Sequence, residues 1–151
     1  MTLTRASICR MSGGLAIDKE ATRTNCPKSN DAAEGLWAFV ASSIAKPRSL
    51  SHRGVLTLQG GRILGGHSYR AYAGTYEINQ QMIRVCLETW LWNPLSNERS
   101  LFGVSSGYAD IYSWTGNLDP VFMSGEVTSE AAPGVQLAAA FMKVADLDGT
   151  Y

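Results

Sequence analysis

The sequence predicts an all-β fold, a single small antiparallel up-and-down barrel of about seven or eight strands. Three observations lead there. Short runs rich in β-branched and aromatic residues are broken by Gly, Pro and Asn from Gly35 onward. Within the longest runs, side chains alternate between apolar and polar with the period of a half-buried strand. Gly60-Gly61 supplies the positive φ angles that a two-residue hairpin turn requires.

The runs follow in order. Leu36 to Ser42 places Leu36, Ala38 and Val40 on one face and Trp37, Phe39 and Ala41 on the other. A loop containing Pro47 precedes a second run, Gly54 to Gln59, and Arg62 to Leu64 returns from the Gly60-Gly61 turn. Gly65-Gly66 reads as a bend or bulge where a strand could not continue straight. Ser68 to Glu77 carries Tyr69, Tyr72 and Tyr76, and the polar turn Asn79-Gln80-Gln81 leads into Met82 to Trp92. There Ile83, Val85, Leu87 and Leu91 oppose Arg84, Glu88, Trp90 and Trp92. Asn93-Pro94 closes the strand, because proline has no N–H to give to a ladder. Leu95 to Val104 suits a loop or one helical turn. Tyr108 to Thr115 alternates again, with Tyr108, Asp110, Tyr112 and Trp114 on one face. Pro120 to Thr128 and Val135 to Val144 complete the set. The Ala138-Ala139-Ala140 stretch has helix propensity, but its bracketing turn residues and the preceding β elements favour a strand.

Residues 1–33 contain no aromatic residue and are rich in Ser, Thr, Lys, Arg, Asn and Asp. A segment of this kind buries too little apolar area to offset the entropy of ordering it, so a flexible, disordered tail is expected there. The barrel domain is expected over 34–146, with a short C-terminal tail at 147–151.

The 151 residues carry thirteen Lys/Arg and thirteen Asp/Glu, a formal net charge of zero. Direct nucleic-acid binding rests on neutralising phosphates, so a balanced chain gives no reason to expect it. No uncharged apolar run approaches the ~18 residues of a membrane span. The longest apolar stretch near the N-terminus, Leu15-Ala16-Ile17, is too short for a signal peptide. Three cysteines, Cys9, Cys26 and Cys86, give neither a disulfide framework nor a metal spacing. Reduced thiols in a cytoplasmic protein are the expectation.

No catalytic constellation is visible. The two histidines, His52 and His67, adjoin Ser51 and Ser68, but neighbours on a strand point to opposite faces and cannot act as nucleophile and base. Surface or loop positions are expected for both. With no clustered carboxylate they also make a poor metal site, and neither a metal nor a cofactor is expected. Glu77, Glu88, Asp110 and Glu126 lie in predicted strands, where the solvent face of a half-buried sheet accounts for them. The glycines at 60, 61, 65 and 66 lack the Lys-Ser/Thr and the helix of a phosphate loop. A non-enzymatic protein is the expectation. Its most suggestive feature is a surplus of aromatics. Trp90 and Trp92 lie opposite Leu87 and Leu91, so they are hard to hide inside a monomer and are candidates for a dimer or partner surface.

Several segments resemble one family in the same order. They are Glu34-Gly35-Leu36-Trp37, Gly54-Val55-Leu56-Thr57-Leu58, Gly61-Arg62-Ile63-Leu64-Gly65-Gly66 followed by Ser68, Tyr72-Ala73-Gly74-Thr75-Tyr76 and Ala132-Pro133-Gly134-Val135. The chain resembles the GrlR-like family, named for a bacterial negative regulator of type III secretion, over roughly residues 34–146. The resemblance implies a lipocalin-like barrel, a homodimer, and sequestration of a helix-turn-helix transcriptional activator. In the founding regulator an acidic surface loop serves that interaction. The corresponding turn here is Ile78-Asn79-Gln80-Gln81, preceded by Glu77, so Glu77, Asn79, Gln80 and Gln81 are the candidate partner-binding residues. The turn is far less acidic than the founding loop, and His67 stands where the family commonly has Asp. The alternative function is a lipocalin-like binder of a small apolar ligand, which requires a hollow interior of about 300 Å³ or more.

Overall fold

A computed structural model describes residues 32–42, 50–93, 95–104 and 109–149. Eight strands close into one antiparallel barrel in which each pairs with the next and the last returns to the first. They are β1 (Gly35–Ser42), β2 (Leu50–Gln59), β3 (Arg62–Gly66), β4 (Arg70–Asn79), β5 (Met82–Leu91), β6 (Asp110–Asn117), β7 (Phe122–Ser129) and β8 (Leu137–Ala145). The described residues contain no helix, so the alanine stretch in β8 is a strand and 95–104 forms turns. Closure decides the first point: β8 must supply the ladder that satisfies both β1 and β7. The expected tail over residues 1–33 lies outside the described residues except for Ala32 and Ala33. Those two belong to the fold, since Ala33 is fully buried and its carbonyl accepts the Trp37 indole N–H at 2.9 Å.

Alternation sets the inside and the outside. Trp37 and Ala41 of β1, Leu56 and Leu58 of β2, Ile63 of β3, Tyr72 and Tyr76 of β4, and Tyr112 and Trp114 of β6 are all buried. Their neighbours face outward, as the period of two requires. Aromatic rings fill the lumen, and inward glycines make room for them. A Cβ at Gly54 would lie 2.6 Å from Phe39 Cε1, and one at Gly116 would strike the Trp114 ring. Phe39 in turn meets Tyr72 edge-on at 5.6 Å, and Trp114 meets Phe141 at 4.7 Å.

The Gly60-Gly61 hairpin forms as expected, with φ of 57° and 80°. Gly65-Gly66 departs from expectation. Both residues stay in β3 and pair with Leu56 and Val55 on one side and with Tyr72 and Ala71 on the other. Without side chains they let neighbouring backbones approach closely, so the strand continues where a bend was expected. The cysteine expectation also needs correcting. Cys86 is buried on the outward side of β5 and is disulfide-bonded. It is the only cysteine among the described residues.

Candidate functional site

In an up-and-down barrel, the beginnings of the even strands and the ends of the odd strands share one rim. His52 lies near the start of β2, Arg70 starts β4, Asp110 starts β6, Thr89 lies near the end of β5 and Ser129 ends β7. Together with Ser100 from the β5–β6 connection, these are the buried polar residues of the described chain. The interior is thus apolar around Trp37 and polar at the opposite rim. The Glu77, Glu88 and Glu126 side chains are exposed as expected, but Asp110 is only 4% exposed. It shares the inward phase of Tyr112 and Trp114, and its carboxylate accepts the Ser129 hydroxyl at 2.8 and 2.7 Å. That hydrogen bonding offsets the loss of water around the charge.

The β5–β6 connection covers this rim. The Leu101 N–H donates to Tyr112 Oη at 3.1 Å, and the Val104 N–H donates to Ser100 Oγ at 3.0 Å. Leu101 and Phe102 are buried, and the Phe102 ring lies 5.4 Å from that of Tyr112. Burial pushes the phenols of Tyr72 and Tyr112 above the usual tyrosine range. Arg70 is 1% exposed. Its Nη1 donates to Thr89 Oγ1 at 3.5 Å, while its Nε has no hydrogen-bond partner among the described residues.

His52, His67 and Glu98 gather at the same rim, each with one potential ligand atom within 4.8 Å of the other two. The two imidazole rings are 5.5 Å apart and nearly edge-to-face, and His67 Nδ1 lies 3.9 Å from Glu98 Oε2. His52, a buried strand residue, departs from the surface or loop position expected of it, whereas His67 lies in the β3–β4 connection as expected but with its side chain buried. His52 is 5% exposed because it keeps the inward phase of Leu56 and Leu58, in a strand that begins earlier than its apolar run. The His67 side chain is 8% exposed. Its segment is pinned by the His67 N–H donating to Arg70 O at 2.9 Å and by the Trp92 indole N–H donating to His67 O at 3.1 Å. Burial, and then the Arg70 charge, hold the His67 pKa below the usual histidine value, which favours the neutral imidazole. The carboxylate that sequence reasoning did not place beside the histidines is Glu98, thirty-one residues beyond His67.

Below the rim, Phe39, Leu56, Tyr72, Tyr112, Trp114 and Phe141 help to enclose an apolar cavity of about 40 Å³. Ligand pockets usually hold about 300–1,000 Å³. The ligand-binding alternative expects the small residues Ala109, Ile111, Ala138, Ala140 and Gly125 to line the lumen; Gly125 lies on the inward side, whereas Ile111, Ala138 and Ala140 belong to the outward set. Ala109 lies just before β6.

The candidate partner-binding residues occupy the other end. Glu77 and Asn79 close β4, Gln80 and Gln81 form the turn, and all four are exposed. They are not brought together with the polar rim. Trp90 and Trp92 are on the outside near that rim, 39% and 55% exposed. Trp90 belongs to a feature that the sequence did not reveal. Successive cross-strand partners run Phe122–Met142–Ala38–Val55–Gly66–Ala71–Trp90, an outward row without a charge across seven of the strands. Phe122, Met142 and Val55 within it are 52%, 56% and 48% exposed. The row is assembled by register between strands far apart in sequence, so no single run carries its signal. No protein-family model matches the chain, and no curated protein matches it.

Proposed function

We propose that this chain is a non-enzymatic regulatory protein that works through the outside of its barrel. It forms a homodimer and holds a helix-turn-helix transcriptional activator away from DNA, in the manner of the negative regulators of type III secretion that its sequence resembles. The observation that carries the outer-surface part is the uncharged row from Phe122 to Trp90. Exposed apolar side chains aligned across neighbouring strands are what an association surface needs. A small shared lumen of about 40 Å³ supports the same reading, since the interior has little room for a ligand. Exposed Arg53 and Glu88, each two residues from Val55 or Trp90 on the same outward face, flank the row. The activator as partner rests on the family resemblance alone.

The test is oligomeric state. Sedimentation of the full chain is expected to give a dimer, and Met142→Glu combined with Val55→Glu is expected to give a folded monomer. Both side chains face solvent, so the pair should leave the barrel's melting temperature within a few degrees of the parent. A parent that sediments as a monomer would sink the dimer. For the regulatory part, the parent should release a helix-turn-helix activator from its promoter in a gel-shift assay. Holding an activator off DNA requires a cytoplasmic chain, and the disulfide at Cys86 gives that location its test, because cytoplasmic thiols are kept reduced. Thiol labelling of protein trapped in its host cell decides this: labelling of Cys86 without prior reduction places the chain in a reducing compartment.

A further inference from the structure

The strongest unexplained feature is the cluster at the polar rim, and it stands apart from the outer-surface reading. We propose that His52, His67 and Glu98 form a binding site for a divalent transition-metal ion of the zinc class. Two imidazole nitrogens and one carboxylate oxygen suit such a borderline ion, whereas Mg²⁺ and Ca²⁺ prefer all-oxygen shells. Three protein donors leave a further coordination position for water or another ligand.

The geometry is close to what the ion needs. Ligand atoms around tetrahedral zinc sit about 2.0–2.2 Å from the metal and so about 3.3 Å from one another. Here the three donors lie within 4.8 Å, and the His67–Glu98 pair is at 3.9 Å. Small side-chain rotations close the difference. His52 is mounted on β2, a barrel strand, and the His67 backbone is fixed by its bonds to Arg70 and Trp92. Glu98 is held by its N–H donating to Ser96 Oγ at 3.1 Å.

The donor itself is weakly occupied. The His67 side chain is more than nine-tenths buried, and its Nδ1, the nitrogen that lies 3.9 Å from Glu98 Oε2, accepts the Tyr69 N–H at a long 3.4 Å. A bound ion would replace that contact with a coordination bond. Arg70 is the opposing influence. Its guanidinium adds positive charge nearby, but its Nη1 is engaged with Thr89 rather than with the cluster.

The experiment is a calorimetric titration of Zn²⁺ into the full-length chain after removal of metals by a chelator. One ion per chain is expected, together with a rise in melting temperature. His67→Ala and Glu98→Gln should each weaken binding by roughly 10- to 100-fold and abolish that rise. If His67→Ala fails to fold, Glu98→Gln still tests the site, because Glu98 sits on a connection and its side chain is 26% exposed. Co²⁺ in place of Zn²⁺ should give a spectrum without thiolate charge-transfer bands. No binding, equal binding by parent and Glu98→Gln, or a thiolate spectrum that assigns the ion to Cys9 or Cys26 would overturn the proposal.

Discussion

The two ends of the barrel interior solve the same closure problem with opposite chemistry. At one end Trp37 is fully buried, its N–H is given to Ala33 O, and the Lys143 ammonium lies 5.2 Å above its ring. At the other, His52, Arg70, Thr89, Asp110 and Ser129 project into the lumen and the β5–β6 connection lies over them. An apolar plug is held by area and packing. A polar rim is held only while every donor and acceptor finds a partner, so it is the less forgiving design. Stability is concentrated at one end and chemical potential for binding at the other.

Trp37→Ala is the sharpest way to break the first end, with an expected loss of about 3–5 kcal/mol. The indole is 0% exposed, and its removal leaves a void and an unpaired Ala33 carbonyl. The matched change at the rim, Asp110→Ala, deletes the acceptor of the Ser129 hydroxyl and should cost less, about 1–3 kcal/mol. Urea denaturation of both variants checks the order. A larger loss at Asp110 would mean that the polar end carries the fold.

The contrast also explains what was legible in the sequence. Alternation in Met82 to Trp92 gives the correct faces, because each strand's phase is a local property, and in β6 it groups Asp110, Tyr112 and Trp114 on one face without showing that this face is the inner one. Gly60-Gly61 is likewise local. The polar rim is not. His52 lies upstream of the apolar run that announces β2, and its partners come from the β3–β4 and β5–β6 connections. Only the closed barrel brings those connections together. One signal was available: extending the inward phase of Leu58 and Leu56 back by four residues reaches His52. The same step back from Trp114 through Tyr112 reaches Asp110. A charged residue in an inward phase at a strand end marks a polar rim, and the solvent-face reading of Asp110 passed over it.

High pH separates the two ends without mutation. Tyr112 is at the rim, and burial first of all holds its pKa above the usual tyrosine value. Hydrogen bonding to Ser100 and to Leu101 acts against that shift but does not cancel it. The protonated phenol is thus favoured by the folded state. Its contribution is whole below pH 10, and it is lost as the pH climbs from there through the raised folded-state value. Unfolding free energy should therefore fall as the pH rises above about 10. In Tyr112→Phe the decline should be shallower, whereas Trp37→Phe should leave its slope unchanged. Equal slopes in the parent and Tyr112→Phe would show that the rim opens before the phenol ionises.

The smallest effect lies in the turn beside the Trp37 end. Gln80 has a φ of 56°, the only positive value among the non-glycine residues described. It is the first of the two residues between the paired Asn79 and Met82, a position where a two-residue hairpin prefers glycine when φ is positive there. A side chain in the left-handed region costs about 1–2 kcal/mol, and glycine returns roughly 0.5–1 kcal/mol of that through its greater unfolded-state entropy. Gln80→Gly should accordingly stabilise the barrel by about 0.5 kcal/mol, a small upward shift in melting temperature. The same variant sharpens the functional comparison, because Gln80 is a candidate partner-binding residue at the end away from the polar rim. Binding of an activator should weaken in Gln80→Gly if the glutamine side chain contributes to the contact, while zinc affinity stays at the parent value. A parallel loss of zinc affinity would show that the two ends are coupled through the strands, and the division drawn between them would not hold.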